Sequence, residues 1–280
     1  MLMKDRLKSL PPLYWAARTA RTAVRELMPP KQLAGVPGRI HANDLMMPKR
    51  VPEQVADYVA AGEQIAALIG QHLAQSVRDD GGTGLDLGCG HGRVLRHLVT
   101  AFPEVRWTGA DIDRSALRFC RNEFGVETVL ASRQPARVRL TPGPYDIVWM
   151  GSLLTHLDNT SEHELWNLIH RNVRPGALLV FSTIGPSSVD WLPHFLPNGH
   201  AHIDSVAAEL TRSGHAHVPY PHYRRAAYGI TLHTAEYLDD VIKRSVATDA
   251  RRLAYAPRAW LGAQDLHVYR LGALLASSSS

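Results

Sequence analysis

An aspartate and three glycines spaced D-x-G-x-G-x-G carry the clearest chemistry in this chain. They are Asp86, Gly88, Gly90 and Gly92 of the run Leu85-Asp86-Leu87-Gly88-Cys89-Gly90-His91-Gly92-Arg93. The run reads as a buried strand entering a glycine-rich turn and then a helix. Glycines at alternate positions let the backbone pass close to a ligand, and the helix that follows turns its N-terminal amides and its dipole toward it. A dinucleotide fingerprint is G-x-G-x-x-G, but from Gly88 the last glycine falls at Gly92 and position 93 is Arg. The dinucleotide reading therefore fails by one residue. Asp86 would repel a diphosphate and suits a cationic amine, so the turn fits a zwitterion.

A second acid stands where the next strand ends. Val105-Arg106-Trp107-Thr108-Gly109-Ala110-Asp111 reads as a strand closing on Asp111, at the carboxyl edge where open α/β sheets bind ligands. Asp113 reads as the N-cap of a helix through Ser115-Ala116-Leu117. Glu127–Ser132 and Tyr145–Met150 read as a third and a fourth strand, the latter followed by Gly151-Ser152-Leu153-Leu154-Thr155-His156-Leu157. Ser161-Glu162-His163-Glu164 has capping-box form before Leu165, Leu168 and Ile169. Arg174-Pro175-Gly176 ends that helix, and Ala177–Ser182 is a fifth strand. Strand and helix alternate from about residue 84 to 183, which predicts a doubly wound sheet.

The D-x-G-x-G-x-G run resembles motif I of the class I S-adenosylmethionine-dependent methyltransferases, and Tyr145–Leu157 resembles their motif IV with its loop. The resemblance implies a Rossmann-like α/β fold, a doubly wound seven-stranded sheet with a terminal antiparallel strand. Here it carries an N-terminal helical extension and an acceptor-lid insertion. Tyr228–Thr234, a helix from Ala235 to about Lys243, and Gln264–Arg270 resemble the strand, helix and antiparallel strand that close that sheet. The implied cofactor is S-adenosyl-L-methionine, held at Asp86, Gly88, Cys89, Gly90 and Gly92. By the same resemblance Asp111 takes the ribose hydroxyls and Ile112 lies against adenine. Ser132 stands where relatives often carry an acid for the exocyclic amine, and Met150 ends the fourth strand beside the site. In relatives the segment before the first strand folds over the methionine part, which makes Tyr58 and Gly62 candidate contacts, with core packing as the alternative for the tyrosine.

Residues 185–227 contain His194, His200, His202, His215, His217 and His222 with Asp190, Trp191, Asp204, Tyr220 and Tyr223. Long insertions of this kind usually carry function. Two H-x-H pairs raise zinc, since alternate residues of a strand share a face, but no cysteine joins them and no H-E-x-x-H spacing appears. The reading is an acceptor lid and no metal, because these side chains offer stacking faces and hydrogen-bond donors for a hydroxyl-rich ligand. Methyl transfer to a neutral hydroxyl needs a base, and His156, just past the fourth strand, is the first candidate, with His200, His202 and His233 behind it. The expected reaction is O-methylation of a hydroxyl of a small saccharide or glycoconjugate. Thr155-His156-Leu157, Tyr228-Gly229 and Gln264-Asp265 also resemble bacterial methyltransferases associated with surface polysaccharide. An amine, carboxylate or natural-product phenol acceptor, or a non-catalytic binding protein of the same fold, are the alternatives.

The 280 residues, 45% of them hydrophobic, suffice for one catalytic domain with additions. The expected organisation is a helix and linker over 1–50, a methyltransferase domain over 51–272 and a tail over 273–280. A helix from Leu13 to Leu27 would align Arg18, Arg21 and Arg25, either as a solvated face or as a weak contact with an acidic or lipid surface. The net charge of +5 comes from scattered basic residues. The loop after the fourth strand also lacks the acidic-or-Asn, Pro-Pro, aromatic run of enzymes that methylate DNA bases, so nucleic acid is not the expected partner. Two cysteines without ligand spacing, no apolar run of eighteen residues and charges at Lys4, Asp5, Arg6 and Lys8 give the expectation of a soluble cytoplasmic protein.

Overall fold

The computed structural model describes residues 20, 22–47, 51–73, 81–196, 198–220 and 228–275. The central layer is a seven-stranded sheet in the order β10-β11-β7-β6-β3-β4-β5. Its parallel part is β3 (Thr83–Leu87), β4 (Arg106–Asp111), β5 (Glu127–Leu130), β6 (Tyr145–Met150) and β7 (Val173–Thr183). Strand β11 (Gln264–Arg270) lies antiparallel on β7, and β10 (Arg251–Trp260) is antiparallel to β11. Strands β3 and β6 are buried at every position, as strands covered on both faces must be.

The pleat divides each central strand between two cores. Val148 and Met150 of β6, with Leu179 and Phe181 of β7, pack under α4 (Asn159–Asn172) and α7 (Ala235–Ser245) through Trp166, Ile169, Leu238 and Ile242. Ile147 and Trp149, with Leu178 and Val180, face α1 (Pro52–Leu73) and α2 (Leu95–Ala101) through Ile65, Ile69 and Leu98. Asp113 caps α3 (Arg114–Phe124), accepting from the amides of Ser115 and Ala116, as its position predicts.

Several expectations change. Gly229–His233 does not join the central sheet. It forms β9, paired with β8 (His215–Pro219) in a separate two-stranded sheet, and a parallel bridge joins its Leu232 to Ile184, the residue after β7. The outer strand is instead β10, whose mixed burial and Pro257 hid it and are both allowed at an edge. Helix α4 begins at Asn159, not after Ser161, because Asp158 accepts from the Ser161 amide and is the N-cap. The first half of the 185–227 insertion is regular. Turns at Pro186–Trp191 and Gly199–His202, the short α5 (Leu192–Phe195) and α6 (Ile203–Ser213) build a small core of Leu192, Val206, Leu210, Ile230 and Leu232.

Residues 28–47 are also more than an extended linker. They contain the two-residue strands β1 (Lys31–Gln32) and β2 (Arg39–Ile40), and Ile40 and Met47 are buried against Tyr58. Residues 22–26 are helical, and Glu26 pairs with Arg118 of α3 and accepts from Asn43. Arg18 and Arg21 of the expected arginine face lie outside the described residues, as do His222 and Tyr223 of the insertion. Among the described residues no helix is long and apolar enough to cross a membrane.

Candidate cofactor and acceptor site

The glycine turn leaves β3 and is tied back to β4. The amides of Gly88 and Cys89 donate to the Ala110 carbonyl, and the Gly90 amide donates to Asp111 Oδ2 at 2.8 Å. Gly90 has φ +51°, and a Cβ added there would meet no protein atom within 4 Å, so the space beside it is left for a ligand. Gly92 is required for a different reason. Its φ is +79°, and a Cβ would stand 2.5 Å from the Phe124 ring. The second acid of the sequence thus shapes the first motif, since Asp111 holds the turn with one oxygen and accepts from the Asp113 amide with the other.

A cavity opens at the carboxyl ends of β3, β4 and β6. Its floor is Asp86, Gly88, Cys89 and Gly90; Asp111 and Asp113 stand at one side, Gly151, Ser152, Trp149 and Trp260 at the other. Asn43, Asp44, Leu45 and Met46 supply a further wall. Asp86 is 2% exposed and its Oδ2 has no hydrogen-bond partner. Burial first, and the neighbouring Asp111 second, push its carboxyl up to about 8. A buried carboxylate without a donor is costly, so this oxygen is suited to an ammonium group. Arg93 lines the same cavity, its guanidinium 4.8 Å from the centre of the Trp260 ring. One acid and one base in a single cavity fit the amine and carboxylate of an amino acid, and Asp111 at the rim fits a ribose diol. Ile112, beside Asp111, is 48% exposed, an uncovered apolar face of the kind a purine ring would cover.

Other predicted contacts fall elsewhere. Gly62 lets α1 approach α2, since a Cβ there would meet the His97 ring at 2.2 Å and the Arg93 carbonyl at 2.7 Å. Tyr58 is buried outside the cavity wall, and its hydroxyl donates to Asp44 Oδ2 at 2.8 Å, so it acts on the wall through Asp44. Met150 is fully buried in the core. Ser132 Oγ accepts from the Gln134 amide, a local turn contact. Arg93, Trp260 and residues 43–46 were not among the predicted contacts. Arg93 follows the last glycine directly and was there to be found; nothing in the Asn43–Met46 sequence marks it as a cavity wall.

Beyond Trp149 the chain enters the loop that carries His156. Ser152 has φ +57°, a conformation that side chains rarely adopt. It is held there by three contacts: its amide donates to Ser182 Oγ, its hydroxyl accepts from Gln264 Nε2, and its carbonyl accepts from Thr155 Oγ1. His156 follows in the same loop. Its Nδ1 lies 2.9 Å from the Gly229 carbonyl, and because a carbonyl only accepts, Nδ1 carries the proton and Nε2 the lone pair. Its ring is stacked 5.0 Å from Tyr228 and lies 6.2 Å from Tyr220. Burial lowers the His156 pKa, which keeps the ring neutral at neutral pH. None of the four candidate bases lines the cofactor cavity. His200 is exposed and His202 half-buried in the Gly199–His202 turn, while His233 is buried against Glu162.

Residues 85–179 match the family model described as a methyltransferase domain. No curated protein matches the chain at the level of sequence. Among solved structures, a Nostoc punctiforme protein described as a candidate O-methyltransferase is 15% identical with a TM-score of 0.52, over 78% of this chain and 58% of its own. The chain therefore spans little more than half the length of that neighbour. An S-adenosylmethionine-dependent methyltransferase from Clostridium acetobutylicum is 12% identical with a TM-score of 0.50, over 77% of this chain and 92% of its own. The glycopeptide N-methyltransferase MtfA, solved with S-adenosylmethionine, is 14% identical with a TM-score of 0.50, over 78% and 96%. At these identities the likeness is one of fold.

Proposed function

We propose that the chain is a class I S-adenosylmethionine-dependent methyltransferase that O-methylates a hydroxyl of a saccharide or glycoconjugate with His156 as base, a reading supported by the methyltransferase-domain match over residues 85–179 and by the shared fold. Asp86 would hold the cofactor's amine, Arg93 its carboxylate and Asp111 its ribose. Bound there, the cofactor supplies a sulfonium methyl group as the electrophile. The protein then has to place an acceptor oxygen in line with that methyl and remove its proton.

The observation that carries the acceptor reading is the state of His156. With Nδ1 engaged by Gly229 and the ring kept neutral by burial, the lone pair on Nε2 is available to a hydroxyl proton. Tyr220 and Tyr228 flank the ring and give a sugar aromatic faces to lie against. An amine that is already free carries its lone pair and could attack without giving up a proton first, whereas a protonated amine would use a base as a hydroxyl does.

The test is transfer of labelled methyl from S-adenosylmethionine to a panel of saccharides, glycolipids, amines, carboxylates and phenols, with the methylated atom assigned by NMR. The expected product is a saccharide methyl ether. His156→Asn, whose amide can still donate to the Gly229 carbonyl, should lower kcat by about 10²- to 10⁴-fold with cofactor affinity kept. Transfer confined to amines or carboxylates contradicts the acceptor assignment, and near-normal kcat in His156→Asn across the pH range makes the histidine a structural residue.

A further inference from the structure

Two histidines and a glutamate meet away from the cofactor cavity, between α4 and the β8–β9 hairpin. His215 opens β8 and His233 closes β9, and the two are direct antiparallel partners, so the register puts both rings on one face of the hairpin. Glu162, from the first turn of α4, reaches up between them. Its Oε2 lies 3.0 Å from His233 Nε2 and 3.4 Å from His215 Nε2, and one ligand atom from each of the three residues lies within 4.8 Å of the other two. Trp166 Nε1 donates to Glu162 Oε1 at 2.9 Å, which fixes the carboxylate and leaves Oε2 to the imidazoles.

The protein by itself does not satisfy this arrangement. Glu162 and His233 are each 1% exposed, and among the described residues the ion pairs of Glu162 are with these two histidines. His233 takes Oε2 at hydrogen-bond distance, whereas His215 Nε2 is buried with no hydrogen-bond partner. A buried polar nitrogen left so is destabilising, because it has given up water without gaining a partner. A cation placed among the three atoms would engage all of them and balance the buried carboxylate. Separations of 3.0 and 3.4 Å are close to the edge of a tetrahedron whose bonds are about 2.0–2.1 Å, the length of zinc bonds to nitrogen and oxygen. Imidazole nitrogens with one carboxylate are donors suited to zinc and neighbouring transition metals.

We propose that Glu162, His215 and His233 form a binding site for a divalent transition-metal ion of the zinc type, which clips the β8–β9 hairpin to α4. None of the three lines the cavity beside the glycine turn, so an ion here would act on the hairpin and α4 and not on a ligand in that cavity. The expectation of no metal rested on the H-x-H pairs and the lack of cysteine. The site uses one member of a pair, a histidine eighteen residues further on in the partner strand and a glutamate from a helix, a set that no local spacing encodes. Among the described residues it is the one such convergence of three.

The experiment uses the full chain freed of any affinity tag and purified without added metal, with elemental analysis of the protein as isolated. After chelator stripping, zinc sulfate is titrated in against a chromophoric chelator, and melting is followed with and without zinc. The expected results are one zinc per chain and a melting temperature raised by several degrees. His215→Ala, whose side chain is 12% exposed and the least buried of the three, should fold, weaken zinc binding on the order of 100-fold or more, and lose the melting shift. His163→Ala, exposed beside Glu162, should bind as the parent does. Absence of zinc uptake and of a melting shift in the stripped parent would overturn the proposal. Binding left unchanged in His215→Ala would overturn it equally.

Discussion

At the scale of single residues the proposed cofactor site turns on Asp86. Its carboxyl, pushed up to about 8, is mostly protonated at pH 7 in the ligand-free protein, yet an ammonium group needs the carboxylate. Binding should therefore expel a proton at pH 7. Cofactor affinity is expected to rise up to about tenfold per pH unit below 8 and to level off above it. Calorimetry at pH 7 in buffers of different ionisation enthalpy should count close to one proton released, and Asp86→Asn should bind more weakly and release none. The same shift acts on folding with a definite sign. A carboxyl raised from about 4 when unfolded to about 8 when folded favours the native state most below pH 4, and this contribution is lost as pH rises toward 8. Cofactor binding offsets that loss by giving the carboxylate a partner.

At the scale of elements, parts of the site were legible and parts were not. The turn, Asp111, Asp113 and the alternation of strands and helices are encoded locally, by glycine spacing, capping chemistry and apolar runs, and all stand where the sequence put them. The wall at Asn43–Met46 is not local. It exists because Tyr58 of α1 reaches Asp44 and because Arg96 of α2 donates to the carbonyls of Pro37 and Arg39, contacts made across tens of residues. The β8–β9 pairing was invisible for the same reason, since a hairpin and a central strand share one alternation and only the partner differs. The wall gives a prediction. Tyr58→Phe leaves Asp44, 4% exposed, without its hydroxyl donor, which should lower stability by about 1–3 kcal/mol. Cofactor affinity should fall several-fold with it, as measured by urea melts and by titration. Unchanged values in both would detach residues 43–46 from the cofactor site.

At the scale of the molecule, two cores fix the sheet from opposite faces, and the carboxyl edge between them is where the cavity lies. The insertion carries a core of its own and brings Tyr220 and the β9 carbonyl of Gly229 to His156. In the proposed function, cofactor binding would fall to the first part and acceptor choice to the second. Calorimetric titration of S-adenosylhomocysteine into the parent protein, Gly90→Val and Asp111→Ala tests the central claim most directly. Valine at Gly90 projects into the space left for the ligand and should abolish binding. Asp111→Ala should weaken it by about 1.5–3 kcal/mol through loss of charge-assisted bonds to the ribose. Parent-like binding in both variants would contradict the assignment of this turn and this acid as the cofactor site.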